Sequence, residues 1–161
     1  MKKIKYFVVL LFLILACLFC FLAGKNSLQP SVVTQSSGTA HMVALINDER
    51  IKANVPPLKE NTKLNKSAQK KCEDILNKDY WAHVSPTGTT PWSFFRAVGY
   101  DYYYAGENLA MYDNDYVAMD ALMKSQSHKD NILSRNFKEV GIGKCGNSTV
   151  QYIVQHFGAL K

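Results

Sequence analysis

Hydrophobic residues are unevenly spread along the chain, and their spacing separates three regions. Residues 6–23 form an 18-residue apolar run without a charge. The stretch that follows, 24–40, is rich in Ser, Thr, Gln, Gly and Pro and lacks helical periodicity, which is typical of a flexible tether. Further on, apolar positions recur every three or four residues or alternate, as in a folded domain. We therefore divide the chain into an apolar segment at 1–23, a tether at 24–40 and a domain at 41–161.

Helical spacing predicts four helices in this domain. Apolar residues step by three or four over 41–54, before a pair of prolines, and again over 62–78. A short third helix starts at Pro91, a residue that the first helical position accepts, and ends at Gly99. The same spacing returns over 115–125.

The end of the chain has the pattern of strands. Residues 137–145 and 149–157 flank 146–148, a Gly-Asn-Ser sequence typical of a tight turn. Residues 102–111 are aromatic and apolar around Gly106, consistent with a strand end or a bend. Helices before and between strands, followed by a terminal hairpin, predict a layered α+β domain.

Composition and charge exclude several protein classes. The 161 residues are 47% hydrophobic and 20% charged, which rules out a disordered or collagen-like chain and suits one modest core. The formal net charge is +6, but half of it comes from Lys2, Lys3 and Lys5. Because no cluster of five or more Lys and Arg occurs, we expect no nucleic-acid partner.

The N-terminus has the arrangement of an export signal, since three lysines precede the apolar run. We therefore expect the domain to lie outside the cytoplasm. Ala16-Cys17 within the run resembles the motif at which bacterial lipoproteins are cleaved and acylated. We favour acylation of Cys17. The run is also just long enough, at about 27 Å, to stay as an uncleaved anchor, and simple secretion is the third possibility.

Three residues could carry chemistry. His83 lies in a loop with Pro and Gly directly after a predicted helix, Glu107 follows a glycine, and His128 lies at the end of the last predicted helix. Two imidazoles and one carboxylate suit a divalent transition metal such as zinc.

These segments, in this order, resemble the CAP superfamily, also called SCP, and particularly its bacterial extracellular branch. The resemblance covers residues 41–158. His83 in His-x-Ser-Pro-x-Gly, Glu107 in Gly-Glu-Asn-Leu-Ala and His128 before Asn-Ile-Leu match the cleft residues of that family. The resemblance implies an α-β-α sandwich with a three-stranded antiparallel sheet between helical layers.

The chain departs from the family pattern at two places. Many members have a second glutamate in the helix before the second histidine, where this chain has Lys-Ser-Gln at 124–126. Where bacterial relatives commonly have Gln-Asp-Phe-Gly, this chain has Gln-His-Phe-Gly at 155–158. The cleft is therefore expected to be degenerate, with three candidate metal ligands instead of four.

The leading hypothesis is a membrane-tethered, non-enzymatic surface protein that binds an extracellular ligand such as a host factor. One alternative is a metal-dependent hydrolase, peptidase-like, with His83 and His128 holding the metal and Glu107 as base. A second alternative is lipid or sterol binding in a groove between helices rich in Met, Phe and Tyr. Without metal, the two histidines would form a hydrogen-bonded structural pair, and Glu107 would orient one of them.

Other residues have two open interpretations. Cys72 and Cys145 are either a disulfide, which an exported location permits, or buried free thiols. His156 is expected to be a packed or surface strand residue. Tyr100 and residues 102–104 are expected to pack in the core and on the sheet, with stacking on a sugar or on lipid as the alternative.

Overall fold

The computed structural model describes residues 36–147 and 150–161. The apolar segment at 1–23, including Cys17, and the tether up to residue 35 lie outside the described residues. Among the described residues, no helix has the length and apolar character that crossing a membrane requires.

The described residues form five helices and four strands. The helices are α1 (Ser36–Lys52), α2 (Thr62–Asn77), α3 (Pro91–Ala97), α4 (Asp115–Lys124) and α5 (Gln126–Leu133), and the strands are β1 (Lys59–Glu60), β2 (Tyr102–Tyr112), β3 (Glu139–Gly146) and β4 (Gln151–Leu160).

Three elements differ from the sequence prediction. Helix α1 starts at Ser36, so the end of the predicted tether is helical. The segment expected to be a strand end or a bend is a full strand, β2. Helix α5, which carries His128, is separate from α4 because Ser125 between them has an extended backbone.

The four strands form one mixed sheet in the order β1-β3-β4-β2. Strand β4 is antiparallel to both β3 and β2, so the predicted antiparallel three-stranded sheet is present. Strand β1 adds a short parallel edge through the pair Lys59 and Glu139. With only two residues, β1 is too short for an alternating pattern to reveal it.

Helices cover both faces of the sheet, which confirms the α-β-α sandwich. On one face, α1, α4 and α5 enclose an apolar core that includes Ile46, Ile153 and Phe157. On the other face, α2 packs through Ala68 and Cys72, and α3 adds Phe95.

Two glycines of β3 let α2 approach the sheet closely. A Cβ at Gly141 would collide with the backbone of Leu64, and one at Gly143 with the backbone of Ala68. Cys72, on the same helix face, forms a disulfide with Cys145 of β3, with their Cα atoms 5.9 Å apart. The helix that carries part of the site is thus fixed to the sheet by both packing and a covalent bond.

Arg50 connects α1 to the end of α5 on the opposite face. Its side chain is buried and donates to the carbonyl oxygens of Pro56, Ile132 and Ser134, at 2.7, 2.7 and 2.8 Å. Burial lowers its pKa, and the charge of Arg135 adds to the effect. Because all three acceptors are backbone carbonyls, this buried charge holds chain segments together and is structural.

Candidate functional site

The site is built around Glu107, a buried carboxylate near the middle of β2. Its Oε1 accepts a hydrogen bond from Nδ1 of His83 at 2.7 Å, and its Oε2 accepts one from Nε2 of His156 at 2.9 Å. Glu107 is only 6% exposed. Both carboxylate oxygens are therefore used within the protein.

His156 lies beside Glu107 because β2 and β4 pair at these two residues. It is fully buried, and the ring of Phe95 stacks on it with centroids 4.4 Å apart. On its other side, Nδ1 is 2.8 Å from the hydroxyl of Ser67 on α2. The result is a continuous chain of hydrogen bonds from Ser67 through His156 and Glu107 to His83.

The protonation states follow from burial and partners. Burial alone would raise the pKa of Glu107, but the hydrogen bonds from His156 and His83 outweigh it and lower the pKa. Complete burial lowers the pKa of His156, against the hydrogen bond from Glu107 that would raise it. At neutral pH we therefore assign an ionised Glu107 and a neutral His156 whose Nδ1 accepts from Ser67.

His83 is the exposed end of this chain. Its side chain is 54% exposed. Since Nδ1 donates to Glu107, the neutral ring has its lone pair on Nε2, away from the carboxylate. Glu107 thus fixes the tautomer and the direction of the one imidazole of this group that solvent reaches.

The loop of His83 is held by a buried lysine of α2. Lys71 is fully buried, and its Nζ donates to the carbonyl oxygens of Ala82 and His83 and to the hydroxyl of Tyr80, at 2.8, 2.7 and 2.9 Å. Burial lowers the pKa of Lys71, while the charge of Glu107 opposes that shift. Lys71 uses all three of its protons to fix the backbone on which His83 stands.

His128, in the first turn of α5, is placed by amide side chains. Asn108 donates to the carbonyl oxygen of His128 at 3.1 Å and to the side chain of Gln155 at 3.1 Å. Asn131 donates to Asn108 Oδ1 and to the carbonyl oxygen of Glu107, at 2.9 and 3.2 Å. These amides hold α5 against β2, so the position of His128 is tied to the strand that carries Glu107.

The His128 ring itself forms no hydrogen bond to His83 or Glu107 among the described residues. It lines a cavity of about 170 Å³ with Leu109, Tyr112 and Leu122. Partial burial lowers its pKa, and the charge of His83 lowers it further. His83 and Glu107 are therefore in direct hydrogen-bond contact. His128 is affected by His83 only through the electrostatic effect of the His83 charge.

The predicted trio does not assemble into a metal site. Within 36–147 and 150–161, no group of three or more His, Cys, Asp or Glu side chains is placed to hold a metal ion. The geometry explains this, because the Glu107 side chain is only 2% exposed and each of its oxygens faces an imidazole. That leaves two imidazoles, fewer than the three or four protein ligands that zinc commonly takes.

Sequence reasoning missed Ser67, Lys71 and the role of His156. A signal existed for the first two, because they fall at helical spacing on the apolar stripe of α2, where a polar residue needs a buried partner. His156 is packed, as expected, but it is also the second partner of Glu107. The sequence did carry a signal for this role, because His156 stands where bacterial relatives commonly have an aspartate.

The sequence is similar to those of known proteins. The sequence pattern of the cysteine-rich secretory protein family, CAP, matches residues 43–157. The uncharacterized protein YkwD of Bacillus subtilis is 38% identical over 103 residues, which are 63% of this chain and 40% of YkwD. The match therefore spans about two fifths of YkwD's length.

Solved structures agree with the fold. An extracellular protein containing an SCP domain from Bacillus anthracis has a TM-score of 0.69 at 25% identity, over 78% of this chain and 41% of that protein. An outer surface protein of Borrelia burgdorferi has a TM-score of 0.70 at 21% identity, over 76% and 92%. NaASP2, crystallised with Zn²⁺, reaches only 0.49 at 10% identity, too low a likeness to bear on metal binding here.

Proposed function

This chain belongs to the cysteine-rich secretory protein family, CAP, and we propose that it is an exported surface protein whose domain binds an extracellular ligand without hydrolysing it. The observation that carries the proposal is the environment of Glu107. A general base or a metal ligand must be within reach of water, substrate or the metal ion. Here the Glu107 side chain is only 2% exposed, and its two oxygens already accept hydrogen bonds from His83 and His156.

The contacts of Glu107 suit a fixed binding surface. The carboxylate orients His83, and Lys71 fixes the same loop from behind. A ligand that donates a hydrogen bond to Nε2 of His83 would meet a ring whose tautomer and direction are already set.

Export is supported by the lysines and the apolar run at 1–23, together with the nature of the relatives. One of these is an extracellular protein and another an outer surface protein. We propose that acylated Cys17 tethers the domain to the membrane through the segment at 24–35. An uncleaved anchor and secretion are the competing outcomes.

Zinc titration calorimetry with parallel hydrolysis assays tests the non-enzymatic role. We expect no zinc-dependent turnover of peptide or ester substrates, and the same result for Glu107→Gln, with Glu73→Gln as a surface control. Zinc binding that disappears in His83→Ala and His128→Ala, accompanied by zinc-dependent turnover, would instead establish the hydrolase.

Protease treatment of intact cells, followed by mass analysis of the N-terminus, tests the location. Removal of the domain from intact cells and a diacylated N-terminal Cys17 are the expected results. An intact Met1 would identify the uncleaved anchor, a free protein in the medium would identify secretion, and protection from protease would contradict surface exposure.

A lipid ligand is the second candidate, and a groove between α1 and α4 favours it. The cavity has a volume of about 380 Å³. Its lining is half apolar or aromatic, with Leu45, Met119, Met123 and Tyr116, and half charged, with Asp48, Glu49, Lys52 and Asp120. Extraction and mass spectrometry of the purified protein test the idea. Co-purified or added lipid that is lost in Met123→Glu, but not in Met111→Glu, would support it, and no retained or acquired lipid would exclude it.

A further inference from the structure

A third cavity lies between the start of α3 and the start of β2, and neither His83 nor Glu107 lines it. It holds about 290 Å³ and is lined by Trp92, Tyr102, Tyr103, Tyr104 and Ala105. Four of the five lining residues are aromatic. Such a concentration of aromatic side chains in one small cavity is a common feature of ligand-binding sites.

Tyr102 is half-buried and packs against Phe95 as expected, but the other three rings are exposed, which for Tyr103 and Tyr104 is contrary to the packing expected from the sequence. Tyr103 is 70% exposed, Tyr104 50% and Trp92 36%, whereas Tyr100 is in the core as expected. Aromatic surface left in water forgoes the free energy of burial. A cluster of such rings, as opposed to a single one, therefore points to an interaction site.

A bulge in β2 brings three consecutive tyrosines to the cavity. Tyr102 pairs with Leu160 and Tyr104 pairs with Ala159, so Tyr103 is an extra residue in the ladder. In a regular strand, successive side chains would point to opposite faces. Bulges re-aim side chains and are over-represented next to functional sites.

One wall of the cavity is rigid. Trp92 contacts Phe95 at 5.8 Å between ring centroids, Phe95 contacts Tyr102 at 5.5 Å, and Trp92 lies 6.4 Å from Tyr102. Phe95 is buried and also stacks on His156. Two of the four aromatic rings are therefore held in place before any ligand arrives, which lowers the entropic cost of binding.

The lining selects the class of ligand. It carries no charged side chain, so nothing in it offsets the desolvation of an anion. A cation would have only the ring faces to hold it. The lining offers ring faces, three phenol hydroxyls and one indole N–H. A pyranose ring has the matching chemistry, with C–H groups on one face and hydroxyls at its rim. The cavity is slightly smaller than the roughly 300–1,000 Å³ of sites for drug-sized ligands, which suits a unit of about one sugar ring.

We propose that the cavity formed by Trp92, Tyr102, Tyr103 and Tyr104 is a binding site for a neutral saccharide, whether free or as a unit of a glycan chain. The site is separate from the His83–Glu107 pair, so this proposal and the proposed non-hydrolytic role succeed or fail independently.

Tryptophan fluorescence tests the proposal on the whole purified protein. Its two tryptophans are Trp81 and Trp92, so a Trp81→Phe background assigns the signal to Trp92. The probes are chitotetraose and maltotetraose, in a detergent whose head group contains neither sugar nor choline. We expect a saturable change with at least one of the two. In the same background, Tyr103→Ala should weaken binding roughly tenfold, as loss of one stacking ring does at other aromatic sites.

Val117→Ala is the control, because Val117 is 44% exposed but lies on α4, away from this cavity. It should leave the affinity unchanged, and since Tyr103 is mostly solvent-exposed both variants should melt as the parent does. Failure of both sugars to bind up to their solubility would overturn the proposal, as would equal affinity in Tyr103→Ala. Saturable binding of tetramethylammonium at Trp92 in place of the sugars would identify a cation site and also overturn it.

Discussion

Side chains of successive residues in β4 point to opposite faces of the sheet, and each face is covered by helices. Ile153 and Phe157 point to the face covered by α1, α4 and α5, where they join an apolar core. Val154 and His156 point to the face covered by α2, where His156 meets Glu107 and Ser67. Both faces are buried. On the first, the buried Arg50 contacts backbone carbonyls, whereas on the second the ionisable side chains of Glu107 and His156 bond to each other.

The two faces are stabilised by different kinds of interaction. The apolar face depends on volume and shape, which many side chains satisfy. The α2 face depends on a closed set of donors and acceptors, and no buried side-chain nitrogen or oxygen among the described residues lacks a partner. Changes on the apolar face should alter stability alone, whereas changes on the α2 face should also alter its pH dependence.

Removing the disulfide should have the largest effect on the α2 face. Cys145→Ser frees a loop with a sequence separation of 73 residues, which should cost about 4 kcal/mol by the chain-entropy estimate. Urea denaturation measures the loss, and wild-type protein in reductant should match the variant. Equal stability of oxidised and reduced protein would contradict the cross-link.

Ile153→Ala tests the apolar face. The residue is fully buried, so its truncation should cost about 3 kcal/mol through lost burial and a residual cavity. The shape of the stability-against-pH curve should not change, because Ile153 faces no titrating group of the site. Ile51→Ala, at a position 61% exposed, is the control and should cost little.

Glu107→Gln tests the polar cluster with almost no change of volume. A glutamine offers one acceptor and one amide donor, so one of the two imidazoles loses its acceptor. We expect a loss of about 2 kcal/mol at neutral pH. The difference in free energy of unfolding between wild type and Glu107→Gln should decrease as the pH falls through the lowered pKa of Glu107. There the wild-type carboxylate also becomes protonated and loses its charge. Glu73→Gln, on the exposed side of α2, should have almost no effect.

The pH dependence of stability tests the state of His156. Because its folded pKa is lowered, the unfolded chain binds this proton first as the pH falls. The contribution of His156 to the free energy of unfolding should be fully present above the unfolded pKa of about 6.5. Below that pH the free energy of unfolding should fall by up to about 1.4 kcal/mol per pH unit. His156→Gln, which retains a donor for Glu107, should remove this contribution. An unchanged slope in the variant would show that His156 does not titrate as assigned.

Ser67→Ala should have the smallest effect. It removes one neutral hydrogen bond to Nδ1 of His156, and we expect a loss of about 1 kcal/mol. Thermal melting detects this difference. A shift no larger than that of an exposed control such as Ser127→Ala would mean that Ser67 does not support the ring.

Much of the site was predictable because its motifs are local. Residues 80–88 and 106–110 are recognisable in the sequence, and they place His83 and Glu107 in a loop and on a strand that the fold brings together. His128 was recognised in the same way, but its lack of contact with the other two was not predictable. That separation depends on how the amides of Asn108 and Asn131 seat α5.

By itself, the sequence determined the α+β class, most elements of the domain and the candidate site residues, because periodicity and short motifs are properties of neighbours along the chain. Tertiary structure decided what those residues do. His156 reaches Glu107 across 49 positions and Ser67 across 89, and a bulge of one residue turns Tyr103 to the surface. Such outcomes depend on strand register and helix packing, which bring together residues far apart in the chain.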